Sequence, residues 1–177
     1  MSLKLPVDAT DHVRGNAKAV IRLVEYGDFE CPHCKYAHSL ITRLLKERAN
    51  DICFVFRNFH LRQVHPHAFI SAIAAEASAR QGKYWEMHDL LFDNQNKLNA
   101  EYFFYLAGEI GLDLEKFGKD SNNKEVVEKV EADFDGGVLS GVNATPTFFL
   151  QDARISYDKT YESLLNPILA ELGKQQH

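Results

Sequence analysis

Two cysteines separated by two residues carry the most distinctive chemistry of the chain. They lie in the stretch Cys31-Pro32-His33-Cys34, directly after an apolar run at residues 20–26 and directly before a helical pattern. A cysteine at a helix N-terminus faces unpaired backbone N–H groups and the positive end of the helix dipole, which favour a thiolate. The thiolate is the nucleophile, so a lowered pKa makes Cys31 reactive at neutral pH. Cys34 lies one turn further along, where it can close a disulfide with Cys31 or resolve a mixed one.

The composition limits the classes of protein to which the chain can belong. Its 177 residues, 45% of them hydrophobic, suit one domain, or one domain with an insertion, around a substantial core. A net charge of −5 argues against nucleic-acid binding, for which a basic face is usual. The apolar runs are shorter than the roughly 18 residues that span a membrane, and the first residues lack the apolar segment of a signal peptide. We therefore expect no membrane insertion, and a cytoplasmic location for the chain as it stands or a periplasmic one if a leader was removed.

Strand and helix patterns surround the cysteine pair. Residues 20–26 and 52–56 are rich in β-branched and aromatic residues and predict two parallel strands, joined by a right-handed crossover through the helix after Cys31. From residue 61 to residue 140 the pattern is helical and predicts five helices. A strand pattern returns at residues 146–150, and a short second strand and an amphipathic helix follow it.

This order of elements predicts an α/β protein of one particular architecture. It is β-α-β, then helices, then β-β-α, which is a thioredoxin fold interrupted by an all-helical insertion domain. We expect a discontinuous thioredoxin-like domain at residues 12–60 and 141–175, with the insertion at residues 61–140. The first eleven residues are polar and are expected to be loosely ordered.

Several stretches of the sequence match one family of enzymes. The most specific are Cys-Pro-His-Cys at residues 31–34 and Thr-Pro-Thr-Phe-Phe at residues 145–149. Further matches lie at residues 24–30, 56–59, 65–68, 85–92 and 141–144. On these stretches the chain resembles the DsbA-like thiol–disulfide oxidoreductases over residues 12–172. The resemblance implies a disulfide exchange enzyme with the split thioredoxin fold.

The resemblance and the local chemistry together predict the roles of four residues. Cys31 is the attacking thiolate and Cys34 the resolving thiol. His33 stabilises the thiolate through a cationic or hydrogen-bonding imidazole, the alternative being an exposed loop histidine. Glu25 falls on the buried face of its strand by alternation, where a carboxyl with a raised pKa can relay a proton to or from Cys34. Its alternative is a glutamate at a strand end in water.

Three further residues are predicted to bind substrate. On spacing alone, Pro146 would be a trans loop proline, since only about 5–6% of X–Pro bonds in folded proteins are cis. The resemblance implies instead a cis peptide bond between Thr145 and Pro146 that faces the cysteine pair. It also implies that Thr145 offers its backbone to an extended substrate, in a pairing similar to strand addition. Pro32, at the start of the helix, is expected to contact the same substrate.

The sequence thus predicts an enzyme, a thiol–disulfide oxidoreductase of oxidase type. We expect it to be a monomer without cofactor or metal, with thiol- or disulfide-containing protein substrates and a redox partner that resets the pair. A cytosolic disulfide reductase or redox sensor is the first alternative. The second is a zinc- or peptide-binding module without turnover, with His60, His65 and His67 beside the cysteines, although their spacing matches no closed zinc site. Cys53, in the middle of a strand, is expected to be a core residue.

Overall fold

The computed structural model describes residues 1–174, and one five-stranded sheet organises them. Its strands are β1 (Val13–Gly15), β2 (Ile21–Gly27), β3 (Ile52–Asn58), β4 (Thr147–Leu150) and β5 (Ala153–Arg154). Across the sheet they lie in the order β1-β3-β2-β4-β5. β2 and β3 are parallel and are joined by α1 (Pro32–Arg48), whereas the other neighbours are antiparallel. The predicted parallel pair and its helical crossover are therefore confirmed.

The two central strands are buried on both faces of the sheet. Because side chains alternate along a strand, neighbouring residues pack into different clusters. On one face, Leu23 and Phe54 pack with Leu44 of α1. On the other face, Val24 packs with Val55. Burial of both faces explains why these strands are nearly continuous apolar runs in the sequence.

Between β3 and β4 the chain forms the five predicted helices. They are α2 (Ala68–Ala79), α3 (Tyr84–Asp93), α4 (Ala100–Glu109), α5 (Leu114–Ser121) and α6 (Lys124–Leu139). Asn99, Asp113 and Asn123 cap α4, α5 and α6, because each side chain accepts a hydrogen bond from a backbone N–H of the first turn. After β5, α7 (Tyr161–Lys174) completes the predicted β-β-α ending. None of the helices within residues 1–174 is long and apolar enough to cross a bilayer.

The N-terminal segment is packed against the fold, so the prediction that it is loosely ordered is wrong. The Leu3 side chain is buried, and its N–H donates to the carbonyl of Asp152 at 2.8 Å. Asp11 accepts two hydrogen bonds from the guanidinium of Arg57, at 2.8 and 2.7 Å. The segment also adds the edge strand β1, which the sequence pattern did not indicate because three residues are too few to show alternation.

The division into two domains stays a prediction. The predicted boundaries at residues 60 and 140 fall between β3 and α2 and directly after α6. Residue 175, the last of the predicted thioredoxin-like domain, lies outside the described residues.

Candidate active site

The two cysteines lie at the first turn of α1. Cys31 is the N-cap residue with extended backbone, and Pro32 occupies the first helical position, where its missing N–H costs no hydrogen bond. The Cys31 carbonyl accepts hydrogen bonds from the N–H groups of Cys34 and Lys35 at 3.0 and 3.1 Å. Cys31 is 5% exposed and Cys34 is fully buried. Both are free thiols in this structure, as is Cys53 on β3.

The surroundings of Cys31 favour its thiolate. The pKa of Cys31 is lowered to about 5, and the largest cause is a hydrogen bond from the Cys34 side chain. Burial raises the pKa. The Thr145 hydroxyl and the backbone N–H groups of Cys34 and His33 lower it further. The Cys31 Sγ lies 3.5 Å from the Thr145 carbonyl oxygen. Among residues 1–174 the buried Thr145 Oγ1 has no hydrogen-bond partner in the dithiol form, so it can donate to Cys31 once that sulfur is a thiolate.

This lowered pKa gives a testable pH profile. We expect the alkylation rate of reduced Cys31 by iodoacetamide to be half-maximal at about pH 5 and flat above it, because only the thiolate reacts. Thiolate absorbance recorded along the same titration provides an independent value. A midpoint near the ordinary cysteine pKa of 9.0 would contradict the account of Cys31.

Cys34 and Glu25 share a buried environment beneath Cys31. Burial raises the pKa of Cys34 well above its ordinary value, and hydrogen bonding to Cys31 and the charge of Glu25 act in the same direction. Glu25 pairs with Phe56 on β3 and Phe148 on β4, and is 2% exposed, so the burial predicted from alternation is confirmed. Its Oε1 has no hydrogen-bond partner among the described residues. Burial, followed by the charge of Cys31, raises the pKa of Glu25 to about 8.

Replacing Glu25 by glutamine should remove one pH-dependent component of stability. The pKa of Glu25 rises on folding from 4.5 to about 8, so its protonated form stabilises the fold fully below 4.5 and progressively less up to 8. The advantage of Glu25→Gln over the wild type should therefore grow by roughly 1.4 kcal/mol per pH unit across this window.

Urea unfolding of both reduced proteins at about pH 4.5 and about pH 8 measures the Glu25 effect. Both proteins keep Cys31, so the difference retains only the Glu25 titration together with its coupling to the Cys31 charge. An equal difference at the two pH values would mean that Glu25 is ionised in the folded protein.

The Thr145–Pro146 peptide bond is cis and lies directly before β4. Thr145 is buried and next to Cys31, whereas Pro146 is half-buried and lines a cavity of about 410 Å³ together with Tyr157. Pro32 and His33 are exposed at the start of α1. The structure thus brings Cys31, Cys34, Glu25 and the Thr145–Pro146 loop together, and leaves the His33 side chain open to solvent.

Comparisons with known proteins place this geometry in a family. The family model described as thioredoxin matches residues 8–169. The chain belongs to the thioredoxin family. A solved thioredoxin-like oxidoreductase from Silicibacter pomeroyi DSS-3 is 27% identical, superposes with a TM-score of 0.83, and is covered over 94% of each chain.

Two further solved structures fix the architecture of this thioredoxin-family chain. BdbD from Bacillus subtilis is 23% identical with a TM-score of 0.85, and the match covers 95% of this chain and 96% of BdbD. Alpha-DsbA1 from Wolbachia pipientis is 20% identical with a TM-score of 0.85, and the match covers 96% of this chain and 94% of alpha-DsbA1. The predicted thioredoxin fold with a helical insertion is confirmed, and the expected resemblance to DsbA-like proteins is confirmed at the level of the fold.

Curated relatives with higher identity are much longer proteins. The Na(+)/H(+) antiporter NhaA 1 of Salinispora arenicola is 42% identical over 155 residues, which is 87% of this chain and 24% of that protein. The Na(+)/H(+) antiporter NhaA of Herminiimonas arsenicoxydans is 43% identical over 161 residues, 89% of this chain and 25% of that protein. The chain thus spans about a quarter of the length of the curated relatives that it matches.

Two acid–histidine pairs tie the active-site loop of the thioredoxin-family chain to the insertion, and sequence reasoning missed both. Asp28 Oδ2 lies 2.9 Å from Nδ1 of His65, and Glu30 Oε1 lies 3.0 Å from Nδ1 of His67. The backbone N–H of His67, the N-cap residue of α2, also donates to Glu30 at 2.6 Å. The sequence signal was the His-Pro-His stretch, which indicates a helix start but not the acids that its side chains bind.

The histidines that the sequence raised as zinc ligands have separate partners. His60 stacks on Phe134, with ring centroids 4.6 Å apart, while His65 and His67 bind the two acids. Another group, His38, His88 and Asp89, has ligand atoms within 4.8 Å of one another. There Asp89 already binds the guanidinium of Arg14, at 2.6 and 2.9 Å.

Proposed function

We propose that the chain is a thiol–disulfide oxidoreductase of oxidase type, which transfers the Cys31–Cys34 disulfide to protein thiols. The observation that carries the proposal is the contrast between the two sulfurs: the pKa of Cys31 is lowered to about 5 and that of Cys34 is raised. A stabilised Cys31 thiolate favours the reduced pair, which makes the disulfide a stronger oxidant.

The exchange follows from the accessibility of the two sulfurs. A substrate thiolate attacks Cys31 Sγ, the bond between Cys31 and Cys34 breaks, and its electron pair leaves with Cys34. The buried Cys34 thiolate then takes a proton, for which protonated Glu25 is the nearby source. A second substrate thiolate attacks the sulfur bound to Cys31, which releases oxidised substrate and the Cys31 thiolate.

The substrate in this proposal binds as an extended segment along the Thr145–Pro146 loop. The Thr145 carbonyl is 3.5 Å from Cys31 Sγ, so a backbone paired with this loop brings its cysteine to the attacked sulfur. Pro32, exposed beside Cys31, offers an apolar contact to the same segment. Since backbone pairing does not depend on the side chains, we expect broad specificity for unfolded protein thiols.

His33 has a proposed tuning role that the alkylation titration can test. Its backbone N–H lowers the pKa of Cys31, its side chain is exposed, and in the sequence it stands between the two cysteines. Replacing His33 by glutamine should raise the pKa of Cys31, while the backbone contribution remains. An unchanged midpoint would assign His33 a backbone role alone.

The experiment that tests the proposed function follows oxidation of a peptide with two cysteines. The oxidised protein is mixed with the reduced peptide, and disulfides in both are counted by alkylation and mass spectrometry. We expect stoichiometric transfer from protein to peptide, at a rate well above that with glutathione disulfide. Transfer in the opposite direction, from oxidised peptide to reduced protein, would instead support the reductase or sensor alternative.

The proposed oxidase cycle has consequences for location and partners. Cytosolic thiols are kept reduced, so a disulfide donor is useful in an oxidising compartment such as the periplasm. Each turnover leaves the pair reduced, which requires a redox partner that oxidises it again. We also propose a monomer, since the cysteine pair, Glu25 and the Thr145–Pro146 loop of one chain suffice for this cycle.

The antiporter relatives favour a second candidate, a redox module that acts on a sodium–proton antiporter. The matched quarter of those proteins is 42 and 43% identical in sequence to this chain. Adding the oxidised or the reduced chain to vesicles that contain such an antiporter tests the idea. A sodium-dependent proton flux that differs between the two redox forms would support it, and equal fluxes would reject it.

A further inference from the structure

Asp28 lies where the active-site loop meets the helical insertion. Its side chain is fully buried, and its Oδ1 accepts a hydrogen bond from the N–H of Glu30 at 2.8 Å. Its Oδ2 accepts another from the N–H of Leu61 at 2.8 Å and lies 2.9 Å from Nδ1 of His65. The carboxylate therefore joins two segments that are far apart in sequence.

The backbone of the same residue contacts both cysteines. The Asp28 carbonyl accepts from the N–H of Cys31 at 3.1 Å, and the Asp28 N–H donates to Cys34 Sγ at 3.4 Å. Burial, Cys31 and Glu25 all raise the pKa of Cys34, and the Asp28 N–H acts in the opposite direction. This N–H thus favours negative charge on the buried sulfur.

We propose that Asp28 is a positioning residue, whose side chain, held by Leu61 and His65 of the insertion, aims its backbone N–H at Cys34 Sγ as that sulfur leaves. The inference rests on the proposed function, because it concerns the step in which a thiolate attacks Cys31 Sγ and the electron pair of the broken S–S bond goes to Cys34. A preorganised donor where charge develops lowers the barrier of such a step. The insertion therefore acts on the chemistry of the cysteine pair.

The test compares two reactions of one protein. When dithiothreitol opens the Cys31–Cys34 disulfide, Cys34 leaves as a thiolate. When iodoacetamide alkylates reduced Cys31, Cys34 remains an uncharged thiol. Asp28→Asn keeps the size of the side chain but has one acceptor oxygen, so it loses the hydrogen bond either from the Leu61 N–H or from the Glu30 N–H and points an amide donor at that group. We expect the rate of disulfide opening to fall by about tenfold, because the hydrogen bond from the Asp28 N–H to the charged Cys34 sulfur is weakened. The rate of alkylation should stay within about twofold of the wild type.

Two more variants keep the result interpretable. His65→Phe keeps an aromatic ring but removes the nitrogen that contacts the Asp28 carboxylate. It should slow disulfide opening by about threefold, and it replaces Asp28→Asn as the test if that variant does not fold. Glu30→Gln weakens the neighbouring pair with His67 and leaves the Asp28 contacts in place, so opening should be unchanged.

Two results would overturn the inference: opening as fast as in the wild type in folded Asp28→Asn or His65→Phe, or equal losses in opening and alkylation. The ¹³Cβ titration of Cys34 gives a further readout, since its midpoint should rise in Asp28→Asn. Dithiothreitol opens the disulfide whether or not the protein oxidises substrates. Failure of the wild type to oxidise the two-cysteine peptide would therefore reject the proposed function and still leave the role of Asp28 decided.

Discussion

Replacing Cys31 by serine should abolish disulfide exchange, lowering the rate of peptide oxidation by at least about a thousandfold. Serine cannot form the disulfide that is transferred, and its hydroxyl is not ionised at neutral pH. The fold should be unaffected, because Cys31 is an N-cap whose side chain makes no capping hydrogen bond to the helix. Peptide oxidation measured by mass spectrometry checks the loss, and circular dichroism checks the fold.

Two other cysteine variants serve as controls for this prediction. Cys53→Ala changes a buried residue that packs against the opposite face of the sheet from Cys31 and Cys34, so exchange should stay within about twofold of the wild type. In Cys34→Ser, Cys31 should still attack a disulfide substrate, but no resolving thiol remains to release the substrate. A mixed disulfide between Cys31 and the substrate should therefore accumulate. Exchange that survives in Cys31→Ser would show that the pair is not the redox centre.

Replacing Arg57 by methionine should give the largest loss of stability, about 3–5 kcal/mol in the free energy of unfolding. The side chains of Arg57 and Asp11 are 5% and 2% exposed, and the guanidinium binds the carboxylate through two hydrogen bonds. It also donates to the carbonyls of Leu5 and Pro6, at 2.8 and 3.0 Å. Methionine leaves the Asp11 carboxylate buried without its partner, and urea unfolding measures the cost.

A matched control separates burial from charge. Lys119 and Glu115 form an ion pair on α5 with side chains 74% and 80% exposed, so Lys119→Met should cost less than about 1 kcal/mol. In the double variant Asp11→Leu/Arg57→Met neither charge is buried, and it should regain part of the loss. A loss below about 1 kcal/mol in Arg57→Met would mean that the N-terminal segment does not depend on this pair.

The sequence was most informative where the apolar periodicity of an element agrees with the residues that begin or cap it. The apolar runs of β2 and β3, the proline at the first position of α1 and the asparagine caps of α4 and α6 each have a local cause, so these elements could be predicted. Strand alternation alone could place Glu25 on the face of Ile21 and Leu23, which is the face that packs in one cluster with Cys31 and Cys34. The cis bond before Pro146 came only from the resemblance, because spacing favours a trans proline.

What could not be predicted depends on contacts between distant residues. Asp28 and His65 are 37 positions apart, and Asp11 and Arg57 are 46 apart, so neither pair leaves a local pattern. Strand β1 has three residues and is defined by its pairing with β3 rather than by alternation. For the same reason the polar N-terminal segment gave no sign that Leu3 and the side chain of Asp11 are buried.

The redox equilibrium of the Cys31–Cys34 pair with glutathione tests the central claim most directly. The protein is equilibrated in buffers of increasing ratio of reduced to oxidised glutathione, quenched by alkylation, and the disulfide fraction is read by mass spectrometry. Because the Cys31 thiolate is stabilised, we predict a potential above about −200 mV, on the oxidising side of the glutathione couple. A potential near about −270 mV, typical of a reductant, would contradict the oxidase account.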